Sequence, residues 1–167
     1  MKYPKELFFD ATTLLETVCP EKILIIGNSL AELTDEYKKQ CQLIKKNCDI
    51  NQVSYSVNIS DTIFLQRYDI AIVGEIIESD DRKKTEQIIG RLRDLCSPRI
   101  IIFADLNNSQ WQENDLFGFG FNKYNHYEID DAQFALYQHN IDSYKRTPDW
   151  FNPKNWANPQ LWNKFWW

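Results

Sequence analysis

The sequence is short of several things that would place it quickly. No apolar run approaches the length of a membrane-spanning helix; the longest is the size of a strand. The first residues, Met1-Lys2-Tyr3-Pro4-Lys5-Glu6, lack the apolar stretch and small-residue cleavage site of a secretion signal. Cys19, Cys41, Cys48 and Cys96 are scattered with no CxxC pair, which points to reduced thiols and a cytoplasmic protein. Basic charge is also in deficit. A formal net charge of -5 argues against DNA binding, which normally needs a basic face. No GxSxG, P-loop or Cys-His nucleophile arrangement is present, so no catalytic residue can be named. His126 and His139, even with Cys41 or Cys48, do not have the spacing of a zinc site, and no metal is expected.

What is present begins with Ile23-Leu24-Ile25-Ile26, an unbroken apolar run suited to a strand buried on both faces. Gly27 stops it at a tight turn. Ser29, followed three residues later by Glu32, reads as a capping box that starts a helix at Ser29. Strand, glycine turn and helix start make an anion-favouring front end, because free helix N–H groups point at whatever sits there. Asp69-Ile70-Ala71-Ile72-Val73 repeats the pattern and stops at Gly74. Arg99 to Asp105 repeats it again after Pro98.

Helices fill the intervals. Pro4 to Val18 is amphipathic, and Leu30, Leu33, Tyr37, Cys41 and Ile44 share a face of a second helix reaching about Asn47. Asp80 to Cys96 carries Ile88, Ile89, Leu92 and Leu95 toward the sheet. Ile50 to Val57 reads as another strand, with Tyr55 and Val57 among its inward positions. Ser109 and Gln112 form a second capping box for a short helix ending near Gly118. Tyr124 to Ile129 and Phe134 to Asn140 form an antiparallel hairpin turning at Asp130-Asp131. The alternation predicts one α/β domain over residues 1–167: a compact, mostly parallel sheet with helices on both faces and Ile23–Ile26 inside it.

This order resembles the class I S-adenosylmethionine-dependent methyltransferases, a Rossmann-like fold. The Gly27-ended strand, the strand before Gly74, the strand ending at Asp105 and the Gly118-Phe119-Gly120-Phe121 segment carry the likeness. The resemblance implies a cofactor site at Gly27, Asn28 and Ser29, with Gly74 and Glu75 across the switch point, and S-adenosylmethionine as the possible cofactor. The sequence departs from that pattern in several places. Ile25 stands where the family usually has an acid, and Ser29 and Ala31 stand where it has glycines. Ser56, Val57 and Asn58 occupy the region of its ribose-binding carboxylate, with Asp61 the nearest acid. Val57 to Asp69 is too short for an extra strand and two helices, so the sheet is trimmed on that side. Asp105 lacks the Asp/Asn-Pro-Pro-aromatic signature. Glu75, Glu78, Asp80 and Asp81 could serve as a base, or could cap the following helix. The reading is a non-catalytic binding protein with an eroded cofactor site; the alternative is a divergent methyltransferase.

Tryptophan is concentrated at one end: five of six lie at or after Trp150. Trp150, Trp156 and Trp162 recur every six residues, and Asn152-Pro153 and Asn158-Pro159 each read as a cap and first helical residue. This aromatic tail, residues 144–167, resembles the end of a small uncharacterised family of bacterial proteins. It could pack back on the domain, anchor a protein partner, or stack on bases or a membrane surface through its basic residues. Packing on the domain is the expectation, and a protein partner is the partner class that Trp150, Trp156 and Trp162 would serve. The chain's acidity weighs against nucleic acid and membrane.

Overall fold

The computed structural model describes residues 2–144, 158–161 and 164. Six strands form one sheet in the order β2-β1-β3-β4-β6-β5. They are β1 (Lys22–Ile26), β2 (Asp49–Val53), β3 (Ile70–Gly74), β4 (Arg99–Asp105), β5 (Asn122–Ile129) and β6 (Ala132–Asn140). β1 pairs in parallel with β2 and β3, and β3 with β4. β6 runs antiparallel between β4 and β5. The parallel order of Ile23–Ile26, Ile70–Val73 and Ile100–Phe103 is as the apolar runs predict, with β1 flanked on both sides. No described strand lies outside β2, so the sheet is trimmed there.

Because successive strand residues point to opposite faces, each apolar run feeds two cores. Ile23, Ile25, Ile70, Ile72, Ile101 and Phe103 pack under α1 (Lys5–Val18) and α2 (Ala31–Leu43). Leu24, Ile26, Ala71, Val73, Ile100 and Ile102 pack under α3 (Arg82–Arg91) and α4 (Glu113–Gly118). The chain then makes one helical turn, α5 (Ile141–Tyr144). Among the described residues no helix is long and apolar enough to cross a membrane.

Several local expectations are corrected. α2 starts at Ala31, not Ser29, and ends at Leu43, short of Asn47. Its N-cap is Leu30, whose apolar side chain makes no cap bond, and the Ser29 hydroxyl donates to Glu75 instead. β2 stops at Val53; Tyr55 is exposed, and Val57 is buried from the loop beyond the strand. Leu95 is exposed as well. After Arg91 the helix widens into a π turn, Leu92–Cys96, closed by the Ser97 N–H on the Leu92 carbonyl (2.8 Å). That extra residue shifts the helical phase, so Leu92 and Cys96 face the core and Leu95 faces water. Ser109 does not cap α4. The box is formed by Gln112 and Asp115, while Ser109 accepts the Trp111 N–H (3.0 Å) in the preceding turn. The hairpin strands each begin two residues earlier than expected. Asp130 and Asp131 both take positive φ, 50° and 64°, as a tight two-residue turn requires.

Candidate functional site

The carboxyl ends of β1 and β3 bring together Gly27, Asn28, Ser29, Gly74 and Glu75. Gly27 has φ +140°, and its N–H donates to the Val53 carbonyl of β2 (2.9 Å). A Cβ on Gly27 would stand 3.1 Å from the Gly74 carbonyl oxygen and 3.4 Å from the Glu75 carboxylate. The turn therefore lies directly on the end of β3, and only glycine fits there. Leu30 closes the contact from the other side. Its side chain is fully buried, 3.1 Å from where a Gly74 Cβ would be.

Glu75 occupies the remaining space. It adopts the left-handed conformation (φ 65°), uncommon outside glycine and asparagine, which turns its side chain back over β1. Its carboxylate accepts the Asn28 N–H (2.8 Å) through one oxygen and the Ser29 hydroxyl through the other. The donors that the strand–turn–helix unit would offer to a ligand are thus taken by a side chain of the same chain. Hydrogen bonds to a charged group contribute roughly 1.5–3 kcal/mol each, less where water reaches them.

The amino-terminal segment braces this arrangement. The Tyr3 hydroxyl accepts the Glu75 N–H (2.8 Å) and donates to Glu78 Oε1 (3.2 Å). Lys2 ion-pairs with Glu78. Tyr3 is almost wholly buried, its ring edge-on to Phe103 at 5.3 Å. Burial, and then the nearby Glu78 charge, push its phenol far above the ordinary tyrosine range, so it stays a neutral hydroxyl. Neither Lys2 nor Tyr3 stands out in the sequence, where they precede the first helix without a pattern. Leu30 does carry a signal: a bulky apolar residue between the two positions that the methyltransferases fill with glycine.

The other candidate acids are committed to local structure. Asp105 Oδ1 accepts the N–H groups of Asn107 (3.1 Å) and Asn108 (3.3 Å), closing the turn after β4. Asp81 caps α3 by accepting the Lys84 N–H (3.0 Å), whereas Asp80 accepts from the Gln110 side chain (3.0 Å) and caps nothing. Asp61, the first acid after β2, accepts the Asn58 N–H (2.9 Å). Ile25 is buried under the helices. An open cleft of about 610 Å³ lies beside Glu75, lined by Lys2, Tyr55, Glu78, Ser79, Asp80 and Asp81. Its carboxylates suit a cation rather than a phosphate.

His126 is exposed on β5. His139 is buried on β6, its Nδ1 3.0 Å from the Gly120 carbonyl oxygen. Among the described residues no group of His, Cys, Asp or Glu side chains could hold a metal ion. Trp150, Trp156 and Trp162 lie outside the described residues.

A family of unknown function, DUF6231, matches residues 7–167. The chain belongs to that family. No curated protein matches it. Among solved structures it is similar to magnesium protoporphyrin IX methyltransferase from Synechocystis with bound SAH, at 10% identity and a TM-score of 0.51, over 80% of this chain and 81% of that one. The methyltransferase domain of bacterial CtHen1-CN is 16% identical with a TM-score of 0.47, over 78% of this chain and 96% of that one. TehB from Haemophilus influenzae is 14% identical with a TM-score of 0.48; the match spans 79% of this chain and 61% of that one. The match at a TM-score of 0.51 shows a methyltransferase-like fold, the α/β architecture read from the sequence.

Proposed function

We propose that this chain is a non-catalytic binding protein built on a methyltransferase-like fold, its cofactor crevice closed from within. One observation carries the reading: Glu75 takes both the Asn28 N–H and the Ser29 hydroxyl. A ligand carboxylate or hydroxyl arriving at the Gly27 turn would have to displace those bonds and then sit against the displaced charge. Displacement alone costs about 1–2 kcal/mol, since Asn28 is exposed to water, roughly one order of magnitude in affinity. A ribose would find no carboxylate on the residues that directly follow β2, 54–60, and Asp61 beyond them accepts the Asn58 N–H of its own turn. The function then lies in binding a protein partner, for which Trp150, Trp156 and Trp162 are candidate anchors on their sequence alone.

Calorimetric titration with S-adenosylmethionine and S-adenosylhomocysteine tests this. The expected result is no binding at micromolar concentration. A micromolar dissociation constant that disappears in a folded Gly27→Trp variant would overturn the proposal. It would favour the second reading, a divergent S-adenosylmethionine-dependent methyltransferase. That reading draws on the acidic cleft beside Glu75, because a sulfonium is a cation and the cleft is lined by carboxylates.

A further inference from the structure

α1 and α2 lie side by side on one face of the sheet, joined at their base and by the Gln40–Glu16 bond, with a groove along their outer side. The groove between them has two stretches, which meet where Gln40 of α2 reaches Glu16 of α1 (3.1 Å). Its upper stretch, about 510 Å³, runs between Phe9 and Thr13 of α1 and Glu32 and Glu36 of α2. The lower stretch, about 300 Å³, opens between Cys19 and the end of α2 at Leu43 and Ile44. Glu16 and Gln40 line both.

Three features of this groove are out of keeping with a plain solvent surface. Phe9 in the upper stretch is 72% exposed, and Leu43 and Ile44 in the lower one are 83% and 66% exposed. The charges around it are mostly of one sign: Glu16, Glu32 and Glu36 against Lys5. Gln40 donates its amide to Glu16 (3.1 Å) but keeps its Oε1 buried with no donor among the described residues. The bond to Glu16 fixes which end of the amide is the oxygen, so the orphan is an acceptor. Leaving one unmet is costly.

We propose that the α1–α2 groove is the docking surface for a basic amphipathic helix of a partner protein. The proposal rests on the reading of the chain as a binding protein and names the surface and the chemistry that it recognises. A helix with an apolar ridge would cover Phe9, Leu43 and Ile44, in the helix-in-groove mode. Lysines or arginines flanking the ridge would meet Glu16, Glu32 and Glu36, and could supply the donor that Gln40 lacks. The length of α1, 14 residues, accommodates a partner of about four turns. A second copy of this chain is a poor occupant, because it would set these acids against their own kind in a chain of net charge -5. Anionic lipid and nucleic acid are repelled for the same reason.

The test uses the full chain and a labelled helical peptide of about 14 residues. The peptide carries leucines at helical spacing and lysines on the flanks; a control has the same composition in scrambled order. Fluorescence anisotropy at physiological salt should show the patterned peptide binding at least about tenfold more tightly than the control. Phe9→Ser and Leu43→Ser should each weaken it several-fold, with circular dichroism melts unchanged. The double variant Glu32→Gln/Glu36→Gln should weaken it and flatten its salt dependence. Equal binding of both peptides, or full-strength binding by Phe9→Ser, would mean that charge alone is at work and would overturn the proposal. So would the absence of binding, dimerisation of the chain through this face, or capture by anionic vesicles. None of these results bears on the cofactor titration, and cofactor binding would leave the groove untouched, so the two readings fail separately.

Discussion

At the carboxyl ends of β1 and β3, donors and acceptors of the chain meet one another. In the groove between α1 and α2, an aromatic ring faces water and a buried oxygen has no donor among the described residues. The first region is concave in the fold to which it belongs, and here Glu75, Leu30 and Tyr3 fill it. The second is concave because two helices on the same face meet at their base and at Gln40–Glu16 but leave a groove along their outer side. The difference teaches where a binding function can reside. A site whose polar groups are mutually satisfied charges an entering ligand the full cost of breaking them apart. A site with exposed apolar surface and an unmet acceptor gains from being covered.

The largest effect that would sharpen the contrast lies at Phe8. It is 6% exposed and its ring lies 5.5 Å from that of Phe103, beneath the segment that braces Glu75. Phe8→Ala should cost on the order of 3–5 kcal/mol in urea denaturation, because the neighbouring rings cannot collapse fully into the void. A loss below about 1 kcal/mol would mean that the helix is not seated on the sheet as described.

A smaller effect tests the closed region itself. Glu75→Ala removes the acceptor for Asn28 and Ser29 and should cost about 1–2 kcal/mol, discounted because Asn28 is exposed to water. Glu75→Gly removes the same acceptor but relieves the left-handed backbone, worth roughly 1 kcal/mol, so it should be the more stable of the two. Chemical denaturation of the pair reads this ordering directly. If alanine proves no worse than the parent, Glu75 is not holding the turn, and the crevice is open to ligands.

Sequence pattern and structure agree where the information is local. Ile23–Ile26, Ile70–Val73 and Ile100–Phe103 could be read because a strand buried on both faces needs an apolar residue at every position. The short Val57–Asp69 connection announced the trimmed sheet in the same way. The fate of Ser29 was not readable, since its hydroxyl is claimed by a residue 46 positions away. A capping box turns the hydroxyl oxygen toward the helix N–H groups and the tertiary bond turns it toward Glu75, and only the folded chain decides between the two orientations. Leu95 was misplaced because helical periodicity assumes 3.6 residues per turn, and one π turn breaks the phase. The residues of the candidate site were visible as small residues and acids at strand ends. That Glu75 would close the site was not, because its left-handed conformation leaves no mark in the sequence.

The smallest effect is expected at the residue next to Phe8. Phe9 is the same amino acid on the same helix, one position along, and 72% exposed. A helix turns about 100° per residue, so adjacent side chains cannot share a face. Phe8→Ala and Phe9→Ser therefore probe the two regions with nearly the same chemistry. Phe9→Ser removes a ring that folding leaves in water, so little transfer free energy is lost, and the change should stay within about 0.5 kcal/mol. If folding alone had selected Phe9, its removal should destabilise the chain much as Phe8→Ala does. A near-zero effect on stability, together with weakened binding of the patterned peptide, would assign Phe9 to recognition. A loss of about 2 kcal/mol or more would instead show Phe9 packed against something in the folded chain, and the groove would then be closed like the crevice.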